Sequence, residues 1–150
     1  MQKITTFLTF NNQAEEAMNF YTSVFKNSKI ISVMRSGDMF FGGSLEIEGQ
    51  IFNVLNGGPS FSFSLGISLF VSCQTQEEID YYWDKLSEGG HQDRCGWLQD
   101  KFGVAWQIVP PILGQLLGGK DPARSHRVMQ AMLKMKKLDI QVLQDAADQK

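Results

Sequence analysis

Two stretches of this chain match each other. Gly49-Gln50-Ile51-Phe52-Asn53-Val54-Leu55 aligns with Gly103-Val104-Ala105-Trp106-Gln107-Ile108-Val109: a glycine, two residues, an aromatic, a carboxamide and two aliphatics. Further upstream, Glu15-Glu16 and Phe20-Tyr21 recur as Glu77-Glu78 and Tyr82-Trp83, an offset of 62 residues (77 − 15). Such a repeat restricts the chain to two copies of one βαβ-type module, with curved sheets whose equivalent residues converge on a shared cleft. The repeat therefore indicates where a site should lie, not what it does.

The segment Lys3–Phe10 has the β-branched and aromatic content of a strand. From Ala14 the apolar spacing turns helical through Ala17, Phe20, Tyr21, Val24 and Phe25. Asn11-Asn12-Gln13 offers N-caps, and Glu15 and Glu16 stand in the first turn, where the helix dipole favours acids. Lys29–Arg35 is a second strand, and Phe40–Glu48 with Gln50–Asn56 a hairpin turning at Glu48-Gly49. Residues 60–66 alternate phenylalanine with serine and read as a linker.

In the second half, strand Ile67–Cys73 leads to helix Thr75–Leu86, which Gly89-Gly90 ends. Arg94–Gln99 and Val104–Val109 form the closing hairpin. This half is the shorter, so one of its strands is expected to be vestigial. After Pro110-Pro111 come a helical turn at 112–117, a helix started by Asp121-Pro122, and a last helix at 140–147 capped by Asp139. The predicted organisation is one domain over 1–150: module one at about 1–59, module two at about 67–110 and a helical tail at about 112–150. The tail helices need an apolar surface, and their spacing leaves open whether this subunit or a partner provides it.

A net charge of −2 and a pI near 5.6 give no field that would gather nucleic acid or an anionic membrane. No apolar run reaches the ~20 residues of a membrane span. The N-terminus lacks a signal-peptide core, and two cysteines make no disulfide framework, so the expected compartment is the cytoplasm.

Several stretches resemble the PhnB-like branch of the vicinal oxygen chelate superfamily, which includes glyoxalase I, bleomycin-resistance proteins and extradiol dioxygenases. They are residues 14–21 (AEEAMNFY), 55–59 (LNGGP), 95–110 (CGWLQDKFGVAWQIVP) and 127–132 (RVMQAM). The resemblance implies an α+β fold of two pseudo-symmetric βαβββ modules forming curved mixed sheets, with the C-terminal helices added. Proteins of this pattern often bear the label 3-demethylubiquinone 3-methyltransferase-like. The chain has no glycine-rich strand-to-helix turn to cradle a nucleotide cofactor.

In catalytic members of that superfamily, metal ligands lie on the first and last strand of each module. Carried over through the repeat, these places hold Thr6 and Ser68 on the opening strands and Asn53 and Gln107 on the closing ones. Neutral hydroxyls and amides are poor ligands for a dication, so no metal or other cofactor is expected. The four can serve as a polar quartet for a small ligand, walled by aromatics such as Phe52 and Trp106. They can equally bond one another or water within the sheet.

The reading is thus a small-molecule-binding protein of the glyoxalase/bleomycin-resistance fold with a degenerate metal site, forming a homodimer. The alternative is a metal-dependent lyase, dioxygenase or thiol transferase, which would revive if Glu46 faced the cleft. A methyltransferase has least support.

Other residues have plain readings. Cys73 and Cys95 read as inert thiols, His91 and His126 as solvated, and Lys134, Lys136 and Lys137 as a solvated face. Trp97 and Trp106 sit on adjacent strands and are expected to meet across the sheet. Tyr81, Tyr82 and Trp83 must split between faces of their helix. Asn56-Gly57-Gly58 reads as turn geometry.

Overall fold

The computed structural model describes residues 2–149. The chain divides into two compact units, residues 1–63 and 64–150.

In the first unit, β1 (Thr6–Phe10), α1 (Ala14–Val24), β2 (Ser28–Ser36), β3 (Met39–Ile47) and β4 (Gln50–Asn56) form one helix on a four-stranded sheet. The strand order is β1-β4-β3-β2, with β1 parallel to β4 and the others antiparallel. Glu48 and Gly49 both take positive φ, 49° and 82°, as a tight two-residue hairpin turn requires. Ala17, Met18, Tyr21 and Val24 pack on a face built from Leu8, Phe10, Leu45, Phe52 and Val54. Each of the larger aliphatic, methionine and phenylalanine side chains among these contributes roughly 1.5–3 kcal/mol of burial.

Gly43 lets the layers close. A Cβ there would stand 2.4 Å from the Ser32 carbonyl oxygen and 3.3 Å from Met18 Sδ. The expected local N-cap for α1 is not used: Gln13 makes no side-chain cap. Asn56 supplies it instead from the end of β4. Its Oδ1 accepts from Ala14 N at 2.9 Å and its Nδ2 donates to the Phe40 carbonyl at 3.2 Å.

In the second unit, β5 (Ser68–Ser72), α2 (Gln76–Ser87), β6 (His91–Gln92), β7 (Trp97–Gln99) and β8 (Ala105–Val109) repeat the pattern in the order β5-β8-β7-β6. The shortened strand is β6, only two residues long, and includes the exposed His91. Thr75 caps α2 by accepting from Glu78 N at 3.2 Å, while the Glu78 carboxylate accepts from Gln74 N, one residue before the cap, at 2.9 Å. Ile79, Trp83 and Leu86 form the buried stripe of α2, and Tyr81 and Tyr82 remain half-buried in an edge-to-face pair.

The tail forms α3 (Pro111–Leu117), α4 (Pro122–Leu133) and α5 (Ile140–Asp148). It packs on its own chain. Val109 of β8 joins Leu113, Leu116, Val128, Leu138, Leu143 and Ala147 in one buried cluster. Gln76 ties the tail to α2 by accepting from Ile140 N at 2.9 Å and donating to the Leu138 carbonyl at 3.0 Å. Arg127 donates to the carbonyls of Ala146 and Ala147, satisfying orphan acceptors at the end of α5. Among the described residues no helix is long and apolar enough to cross a membrane.

Candidate functional site

Strand register decides which side chains share a surface. Gly43, against Met18 of α1, marks the helix-side face of the first sheet. Its β4 partner Val54 is buried there, and Leu8 pairs with Val54 across β1. The opposite face therefore carries Phe7, Ser44, Glu46, Ile51, Asn53 and Leu55, one residue out of phase. Phe7 lies opposite Asn53, Asn53 opposite Ser44, and Ser44 opposite Ser32, giving a row across all four strands.

A bulge between Ile30 and Ser32 produces the last step of this row. The extra residue shifts the phase of β2, so Ser32 turns to the Ser44 side and the two hydroxyl oxygens lie 2.7 Å apart. Glu46 is half-buried, between Ile51 of β4 and Lys29 of β2. Among the described residues, neither the Glu46 carboxylate nor the Asn53 carboxamide has a hydrogen-bond or ion-pair partner.

The second sheet handles its equivalent amide differently. Gln107 Nε2 donates to Ser68 Oγ at 2.9 Å, so these two predicted residues satisfy one another. Phe70, opposite Gln107 on β5 and 59% exposed, takes the place that Phe7, 55% exposed, holds in the first sheet. Trp97 lies opposite Gln107 on β7 and shares its face.

Three residues expected at the site lie elsewhere. Phe52 and Trp106 are buried on the helix-side faces, and Thr6 pairs with Phe52 and so shares that side. Trp97 and Trp106 consequently point to opposite faces and do not meet. The error at Thr6 comes from one residue. The helices repeat at an offset of 62 (76 − 14), but the registers pair Phe7 with Asn53 and Phe70 with Gln107, an offset of 63 (70 − 7) on the opening strands. Counted from the register-equivalent residues Phe10 and Cys73 (73 − 10 = 63), three residues, 11–13, lead to α1, whereas two, 74–75, lead to α2. A one-residue slip in a strand exchanges its faces. The register equivalent of Ser68 is thus Thr5 (68 − 63).

The donors on these faces do not fit a divalent metal. Asn53 and Gln107 are neutral amides, the Ser68 hydroxyl is engaged, and Glu46 brings a single charge, with Lys29 beside it. A dication site is built from imidazole, thiolate or several carboxylates. Among the described residues no group of three or more His, Cys, Asp or Glu could hold a metal ion.

Asp100, 2% exposed, is a structural acid beside β8. Its Oδ1 accepts from Phe102 N at 2.9 Å and Val104 N at 3.0 Å, and its Oδ2 from Trp106 Nε1 at 2.9 Å. Cys73 is fully buried, and burial, with a smaller contribution from Glu78, pushes its thiol from an ordinary 9.0 up to about 12. The thiol is therefore protonated and unreactive at neutral pH. In the native protein at pH 8, iodoacetamide is expected to label the half-buried Cys95 at least roughly tenfold faster than Cys73. Peptide mapping of the labelled protein reads the ratio, and equal labelling would refute the assignment. The raised value also sets a sign: this contribution to stability is complete below pH 9.0 and declines as pH rises toward about 12.

Two four-stranded mixed sheets, each built from a βαβββ repeat, define the glyoxalase-like class of folds. A family model described as 3-demethylubiquinone-9 3-methyltransferase matches residues 2–109. The chain belongs to that family, the PhnB-like branch of the vicinal oxygen chelate superfamily. A PhnB protein from Bacillus cereus is 38% identical over 73% of this chain and 99% of its own, with a TM-score of 0.68. A Pseudomonas aeruginosa protein shares the fold at 19% identity, covering 73% of this chain and 98% of its own, TM-score 0.63. So does the fosfomycin resistance protein FosX of Listeria monocytogenes, described as complexed with Mn(II) and sulfate: 13% identity, 71% and 89% coverage, TM-score 0.51. No curated protein matches the chain. The family match ends at Val109, so α3, α4 and α5 lie outside it.

Proposed function

We propose that this chain is a small-molecule-binding protein of the glyoxalase/bleomycin-resistance fold whose ancestral metal position has been replaced by neutral side chains. The observation that carries the reading is the row on the face of the first sheet away from α1. There Asn53 and Glu46 offer unpartnered polar groups beside Phe7, Ile51 and Leu55. An apolar floor with a few convergent polar groups is the usual make-up of a small-molecule site. Gln107, Ser68 and Trp97 offer a second, more closed surface of the same kind.

The metal-dependent enzyme is the second reading, and Glu46 is the observation that favours it, since its carboxylate shares a face with Asn53. One carboxylate among amides still falls short of the two or more charged ligands that mechanism needs. The methyltransferase description finds no support in the fold. The β1–α1 turn, Asn11-Asn12-Gln13, contains no glycine and so lacks the glycine-rich strand-to-helix turn on which a nucleoside cofactor is commonly held. We further propose a cytoplasmic homodimer, in keeping with the exposed Phe7 and Phe70.

Thermal melting with Zn²⁺, Ni²⁺, Mn²⁺ or Fe²⁺, and with a small-molecule library, tests this. A ligand at 100 times its dissociation constant adds about 2.7 kcal/mol to stability. The expected result is no shift with metals and a rise of roughly 5–10 °C with one or more organic ligands. A rise with a metal would overturn the degenerate-site reading and direct attention to lyase and thiol-transfer assays.

A further inference from the structure

We infer that Glu46 gives this face a charge preference, so that its ligands are ammonium-bearing molecules with a small apolar or aromatic body. The inference rests on the ligand-binding reading above and names the ligand class for the same site.

A carboxylate only accepts hydrogen bonds, whereas the Asn53 amide both donates and accepts. In the register, Ser44 lies opposite Asn53 and Ile51 opposite Glu46, so Glu46 and Asn53 are diagonal neighbours on one face. Such neighbours are separated by about 7–8 Å, a span that one ligand head group bridges. Phe7 stands directly across from Asn53 with 55% of its surface exposed. Phe7 stands two strands from Glu46 and offers a surface for the ligand's apolar body, while the half-buried carboxylate favours a cation over an anion.

Lys29 is the counter-argument, because it faces Glu46 on β2. It is exposed, so water screens its charge, whereas the half-buried Glu46 acts through a lower effective dielectric. The two charges should therefore oppose one another, with Glu46 dominant.

Three probes with one apolar body separate the effects: 2-phenylethylammonium, 2-phenylethanol and 3-phenylpropionate. Each is titrated into the full chain at millimolar concentration, following the Asn53 side-chain amide and the Ile51 and Leu55 methyls by NMR. The ammonium is expected to bind roughly tenfold more tightly than the carboxylate. Glu46→Gln should bring that ratio near one with the alcohol unaffected, and Lys29→Gln should widen it. Unchanged melting temperatures establish that both variants are folded.

Equal or tighter binding of 3-phenylpropionate would overturn the charge preference and leave the ligand-binding reading intact. A preference that survives Glu46→Gln would overturn the assignment to Glu46. No shift at these three residues with any probe would overturn both the preference and the use of this face as a ligand site.

Discussion

Asp100→Ala is expected to lower stability by about 4 kcal/mol, among the largest effects of any single polar substitution in this chain. The carboxylate accepts from the main-chain N–H groups of Phe102 and Val104 and from the indole N–H of Trp106. Removing it leaves all three without their acceptor. An orphaned buried donor costs about 1–3 kcal/mol, and the Phe102 N–H, being only partly buried, recovers some of this from water. The loss should appear as a fall in melting temperature on the order of 10 °C.

Asp100→Asn separates the contributions. One amide oxygen can still serve the two main-chain donors, but its NH₂ then meets the Trp106 N–H, donor against donor. Its cost should be intermediate. Combined with Trp106→Phe, which removes the opposing donor, the double variant should be less destabilised than the sum of the singles. Strict additivity in that cycle would show that the Trp106–Asp100 bond contributes little.

Leu143→Ala is the second large effect, expected at about 3 kcal/mol within the 2–5 kcal/mol range for buried leucine truncation. Leu143 is fully buried in the cluster that holds α3, α4 and α5 to Val109. That cluster has few members, so one cavity removes a large share of what fixes the tail. Hydrogen exchange should therefore rise first in α4 and α5, with the strands of the first unit unchanged. Uniform loss of protection across all elements would contradict a tail that opens separately.

Much of the fold was legible in the sequence because its signals are local. The apolar spacing from Ala14 to Val24, the Glu48-Gly49 turn and the Asp121 and Asp139 caps each act over a few residues. The sequence also suggested a shortened strand in the second half, realised as β6. Three features were not legible because they join distant residues. Asn56 caps a helix 42 residues away in sequence. Gln76 holds the tail from 62 and 64 residues away. Asp100 looked like an ordinary loop acid until its three donors were in place.

The candidate site shows the same division. The repeat paired Asn53 with Gln107, and in the structure each stands opposite a phenylalanine of its opening strand. It placed Thr6, Phe52 and Trp106 with them, although alternation within β4 and β8 puts the residue next to Asn53 or Gln107 on the other face. Strict alternation could have excluded Phe52 and Trp106 and suggested Ser44 and Glu46. It could not have corrected Thr6, because that required knowing that the path from Phe10 to α1 is one residue longer than the path from its register equivalent Cys73 to α2.

The sequence by itself determined the duplicated architecture and the element types. These depend on composition and on periods of two and 3.6 residues. Only the tertiary structure decided which side chains share a surface and which chain the tail covers. A strand's facing depends on its register with a partner far along the chain, and a single bulge or a loop one residue longer reverses it.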